Sequence, residues 1–185
     1  MAKISKKSEK LKRRRRRARK AFFTTFVLLS LCAVIVRLLV FETYYFSSDA
    51  MKPVYKKGDI VLMEKYEMLT ENEVERGDVV LSKFESASIR LARRVFGMPG
   101  DLIDVRGEEK FLVYKDNEGV MREKALGKAP GLVYGTLPEN AFLLLSDNLD
   151  SEADDSRTLG LVYLTDITAE AGSILWPPSR MFRND

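Results

Sequence analysis

The chain has 185 residues, 45% of them hydrophobic, with no histidine, one cysteine and a net charge of +4. That is enough for one ordinary domain with appendages and a real core. The missing histidines exclude His-based triads, His metal sites and His pH switches, and the lone Cys32 excludes a disulfide within the chain and a Cys-rich zinc site.

The charge is unevenly placed. Residues 1–20, "MAKISKKSEKLKRRRRRARK", hold 12 Lys/Arg against one Glu, a net of +11 that leaves −7 for the rest. A basic tail on an acidic body is a tail with its own task. Next comes "AFFTTFVLLSLCAVIVRLLVF", residues 21–41, uncharged as far as Val36 and interrupted by Arg37. At about 1.5 Å per residue, 21 helical residues span roughly 30 Å, the thickness of a bilayer's hydrocarbon core. Arg37 lies where its stem can snorkel to the headgroups, and Tyr44, Tyr45 and Phe46 fit an interfacial aromatic belt. No A-x-A-like cleavage site follows, so the stretch reads as a retained transmembrane helix. The cations predict a cytoplasmic N-terminus, a single pass of the plasma membrane and an extracytoplasmic body, residues 42–185. Beside such a helix, "RRRRR" reads as a topology signal on anionic lipid and not as a nucleic-acid site.

From Met51 onward the pattern is β. Short apolar runs at Ile60–Met63, Val79–Leu81, Ile103–Val105, Phe111–Tyr114 and Ala141–Leu145 alternate with turn pairs such as Gly58-Asp59, Gly77-Asp78 and Pro130-Gly131. Only "TENEVERG" hints at helix, and the polar residues 115–135 read as a loop or insert. The fold class predicted is mainly β: an antiparallel sheet or barrel behind one transmembrane helix.

Three patches carry the chemistry: "SSDAMKP" with "KKGD", "ARRVFGMPGD", and "LSDNLDSEADDSRTLGLV" followed by "ILWPPSR". In this order, behind an N-terminal anchor, they resemble type I signal peptidases, membrane-bound Ser/Lys proteases, over most of residues 21–180. The resemblance implies a β-rich domain on the outer membrane face. It also implies a serine nucleophile directly before Met-x-Pro and a neutral lysine base directly before Arg-Val-x-Gly-x-Pro-Gly-Asp. A lysine serves as base near neutrality only if burial lowers its pKa.

Carried over by residue, the nucleophile position is Ala50 and the base position is Arg93. A methyl group has no lone pair, and a guanidinium stays protonated. Ser48 matches the family's oxyanion-supporting hydroxyl, and Arg94, Asp147, Asp155, Ser156 and Arg157 match its supporting residues. Leu149 and Ala153 depart from the family pattern. Phe46, Met51 and Tyr55 match an apolar face that touches lipid in the family. Arg94 with Asp147, and Asp155 with Arg157, are expected ion pairs, and Asp101 an acceptor in its turn. Trp176 is expected in the core or at the membrane interface. Arg93 is expected to pair with a carboxylate, Asp147, Asp154 and Asp155 being nearest.

The resemblance is nearest to the catalytically degenerate signal-peptidase-like proteins of Gram-positive pilus clusters. It implies a non-catalytic protein, without metal or cofactor, that binds an extended segment of an exported preprotein or pilus subunit. Two other readings stay open: an active signal peptidase with a displaced or artificially substituted dyad, and a membrane-anchored structural module. A displaced dyad would use Ser47 or Ser48 with Lys52, Lys56, Lys57 or Lys83. A shift of two residues moves an Oγ by roughly 6–7 Å along an extended chain, against a tolerance of about 1 Å.

Overall fold

The computed structural model describes residues 2–65, 74–149 and 154–181. The chain divides into two units, residues 1–40 and 41–185.

The first unit is one helix, α1 (Ala2–Val40), of 39 residues. Tail and apolar run are therefore one continuous element, with no break at residue 20. Ala18–Ile35 has a mean hydropathy of 1.7 and none of it is buried, so α1 is a candidate membrane span. Phe41, expected as the last residue of the span, instead opens a strand. Aromatic and β-branched residues in "FETYY" favour extended pairing over helix.

The second unit is built from antiparallel strands. They are β1 (Phe41–Tyr45), β2 (Ile60–Lys65), β3 (Val79–Phe84), β4 (Ile89–Gly97), β5 (Leu102–Arg106), β6 (Glu109–Lys115), β7 (Met121–Gly127), β8 (Gly135–Thr136), β9 (Ala141–Leu145), β10 (Val162–Tyr163) and β11 (Ile167–Trp176). A larger sheet runs β1-β2-β11-β3-β4-β9-β10 and a smaller one β7-β6-β5-β8. All five predicted strands are present. Residues 115–135, expected as a loop or insert, contain β7, which pairs with β6 from Lys115↔Met121 to Lys110↔Gly127. In "TENEVERG", residues 70–73 lie outside the described residues, and 74–77 form a loop and a turn rather than helix.

Alternation along the strands builds the core. Val79 and Leu81 of β3 pack with Val61, Met63, Ala92, Ala169 and Ile174, whereas Val80 and Phe84 face the other way, onto Val95, Phe142 and Leu144. A third cluster joins Leu143 and Leu145 to Ile103, Leu112 and Leu126 of the smaller sheet. Gly97, the glycine of "RRVFGMPGD", sets the spacing of β4 and β9: a Cβ there would stand 2.6 Å from Leu143 Cβ.

The first of these clusters corrects one expectation. Phe46, Met51 and Tyr55 are not lipid-facing. They are 3%, 0% and 8% exposed, and Phe46 stacks on Tyr55 at 4.8 Å. Three large apolar groups on one short loop gain more by packing against Val61, Met63 and Leu81 than by facing outward. Of the expected aromatic belt, Tyr45 is exposed, Tyr44 half-buried and Phe46 buried. Trp176 is 55% exposed at the end of β11 and so is not a core residue.

Candidate functional site

The loop carrying Ala50 is closed at its base by backbone bonds. The Phe46 N–H donates to the Asp59 carbonyl at 2.9 Å, and the Gly58 N–H donates to the Phe46 carbonyl at 2.8 Å. Met51 and Tyr55 anchor it in the core. Asp59, 2% exposed, accepts from the Lys56 N–H at 2.7 Å and pairs with Arg180, whose Nη2 donates to the Val54 carbonyl at 2.6 Å. Arg180, 121 residues beyond Asp59, is a support that local sequence does not reveal. Ala50 itself is 2% exposed, and its carbonyl accepts from the Asn148 N–H at 2.9 Å. Ser48 stands exposed on a bend two residues earlier.

Strand β4 supplies Arg93 and Arg94, which point to opposite faces because successive residues alternate. Arg94 makes a two-pronged pair with Asp147, 2.6 and 2.7 Å, and that contact raises its pKa. Arg93 is 4% exposed. Burial lowers its pKa, opposed by the fields of Tyr44, Asp155 and Asp154. Its Nε donates to the Asp154 carbonyl at 2.9 Å and its Nη1 to the Ala92 carbonyl at 2.7 Å. The expected Arg93–carboxylate pair is thus corrected: among the described residues the partners are carbonyl oxygens. Of the three carboxylates expected nearest, Asp147 is committed to Arg94 and Asp155 to Arg157, while Asp154 meets Arg93 through its carbonyl.

The third patch is a clamp. Asp155 is fully buried and caps a single helical turn, α2 (Ser156–Leu159). It accepts from the Arg157 N–H at 2.9 Å, from the Ser146 N–H at 3.1 Å and from the Arg157 guanidinium at 2.9 Å. The Ser156 Oγ accepts from the Leu144 N–H at 3.0 Å. "SDN" and "DSR" are thereby locked together. "SDN" reaches Ala50 through Asn148, and Asp154, beside "DSR", reaches Arg93. Positions 50 and 93 are therefore held by two segments that Asp155 ties to each other. Ala153 lies outside the described residues.

The lysines weighed as replacement bases all face solvent. Lys52, Lys56, Lys57 and Lys83 are exposed, and Lys52 pairs with Asp49 at 2.8 Å. Asp101 takes the turn role expected of it, accepting from the Met98 N–H at 2.7 Å, and also holds Arg76 at 2.8 and 3.0 Å. Among the described residues no cluster of side chains could hold a metal.

A candidate membrane span followed by an antiparallel β body, in which these three patches meet at one site, is the arrangement expected of a signal-peptidase-type protein. The family model "Signal peptidase, peptidase S26" matches residues 19–176, and the chain belongs to that family. It is 23% identical over 155 residues to signal peptidase I P of Bacillus subtilis subsp. natto, covering 80% of this chain and 83% of that protein. It is 28% identical over 156 residues to signal peptidase I of Leptolyngbya laminosa, covering 79% and 74%. A solved signal peptidase I from Enterococcus faecalis shares 22% identity at a TM-score of 0.39, over 54% of this chain and 97% of that one.

Proposed function

We propose that this chain is a non-catalytic member of its family, which holds an extended segment of an exported protein, a pilus subunit among the candidates, without cutting it. One observation carries the reading: the two positions that would do the chemistry hold buried Ala50 and buried Arg93. A methyl group cannot attack a carbonyl, and a guanidinium cannot take a proton near neutrality. The lysines weighed as substitute bases stand exposed to solvent, and Lys52 is already paired with Asp49.

Binding needs no dyad. β1 ends the larger sheet. Phe46 spends its N–H and carbonyl on the Gly58–Asp59 side, so by alternation Glu42 and Tyr44 face β2. Thr43 and Tyr45 then turn their backbone groups outward. An extended segment can add there as a further strand, with main-chain bonds supplying affinity. The full-length protein in detergent is expected to bind a fluorescent extended peptide from an exported protein. Thr43→Pro, which removes one outward donor and spares the β1–β2 bonds, is expected to weaken binding about tenfold. Equal binding by both forms would contradict an edge on β1.

The proposed orientation follows from the cations before Ala21. Protease added to intact protoplasts is expected to digest residues 42–185 and spare the tail. A protected body would overturn both the orientation and an extracytoplasmic role.

A further inference from the structure

A second strand edge lies beside Arg93. Val95 donates its N–H to the Asp78 carbonyl at 2.8 Å, and its own carbonyl accepts from the Gly77 N–H at 2.9 Å. Its backbone groups therefore face the β3 side. By alternation Arg93 and Leu91 do the same, while Arg94, Ala92 and Arg90 turn theirs toward β9. But β9 pairs with β4 only from Arg94↔Leu145 to Gly97↔Leu143. Past Leu145 the chain leaves the strand at Ser146, pulled away by Asp155. Among the described residues, no strand lies beside the outward groups of Ala92 and Arg90.

One acceptor on that edge is nevertheless already taken. The Ala92 carbonyl, which an added strand would use as an acceptor, takes the Nη1–H of Arg93 at 2.7 Å. The same guanidinium donates Nε–H to the Asp154 carbonyl at 2.9 Å. One side chain, 4% exposed, thus spans the edge of β4 and the segment leading into α2.

We propose that Arg93 is an internal edge cap: it closes the β4 edge to an incoming strand and latches the Asp154 segment across it. The bond to Ala92 is charge-assisted, stronger than the neutral N–H bond a peptide would offer in its place. A peptide displacing it would also leave a buried guanidinium short of an acceptor. On the proposed function, an extended segment is therefore held by β1 alone. The peptide half of the inference rests on that reading, and the latch does not.

Arg93→Ala removes both donors, and Arg93→Met removes them while keeping most of the buried bulk. Each is made in the full-length protein in detergent and read in two ways. The first is affinity for the same fluorescent extended peptide, expected to rise at least about tenfold in Arg93→Ala as the β4 edge becomes available. The second is hydrogen–deuterium exchange of backbone amides in residues 146–158, expected to quicken in both variants as the latch opens. If no form binds peptide, the proposed function fails, and the exchange reading alone decides the latch: faster exchange supports it and unchanged exchange overturns it. Weaker binding by Arg93→Ala would make Arg93 a peptide contact and overturn the cap. Unchanged affinity in a protein that does bind would overturn it equally.

Discussion

Ala50→Ser alone, and Arg93→Lys alone, are each expected to leave a preprotein with an Ala-x-Ala site uncut above background, and the two together to produce cleavage. A hydroxyl at position 50 would be a nucleophile with nothing to take its proton. Arg93 is buried and its pKa is lowered by that burial, yet a guanidinium stays charged at neutral pH. The same burial acts differently on a lysine. A lysine's ordinary pKa lies near 10.4, so loss of hydration can bring the neutral amine within reach of pH 7. General-base assistance is worth roughly 10²–10⁴ in rate. The double variant is therefore expected to exceed each single variant by about 100-fold in a time course followed by gel or mass. Equal turnover by Ala50→Ser alone would mean that another base serves position 50.

Asp155→Ala is expected to be the most damaging single change to the body, at about 3–5 kcal/mol. Asp155 is fully buried and satisfies two backbone N–H groups and the Arg157 guanidinium at once. Truncation leaves a cation that is 17% exposed without its carboxylate and uncaps α2. It also frees "SDN" from "DSR", the tie that keeps positions 50 and 93 in place. Thermal unfolding of the full-length protein should show a loss of roughly 10 °C. Asp155→Asn, which keeps an acceptor, should lose less. The exposed pair Lys128–Glu108, 80% exposed on both sides, provides the contrast: Lys128→Ala should change stability by less than about 0.5 kcal/mol. A similar small effect at both sites would mean that the clamp is not where stability resides.

Much of this was legible in the sequence, for identifiable reasons. The candidate span was legible because a long uncharged apolar run stands out, and the five predicted strands because their inward residues are nearly all apolar, buried Ser82 of β3 being an exception. β4 was not predicted because its alternation is broken by Arg90, Arg93 and Arg94, whose charges are satisfied by carbonyls and by carboxylates far along the chain. β11 was missed because "ITAEAGSILW" hides its inward residues among Ala, Gly and Glu and shifts register against β2 twice. β7 was missed because it opens with "MREK", polar enough on both faces to read as a loop.

At the site, the Arg94–Asp147 and Asp155–Arg157 pairs were legible from motif positions alone. The partners of Arg93 were not, because sequence shows which carboxylates are near and not which are already taken. The burial of Phe46, Met51 and Tyr55 was misjudged for a related reason. An apolar residue in a loop looks the same in sequence whether it faces lipid or its own core.

The central claim, a signal peptidase fold that holds and does not cut, is tested most directly by incubating the unmodified full-length protein, in detergent, with a preprotein bearing an Ala-x-Ala site. Intact mass is followed over hours, with a signal peptidase I as positive control. The expected result is an uncut preprotein that co-purifies with the protein. Cleavage at the Ala-x-Ala site that Ser48→Ala abolishes would contradict the claim and identify Ser48 as a displaced nucleophile.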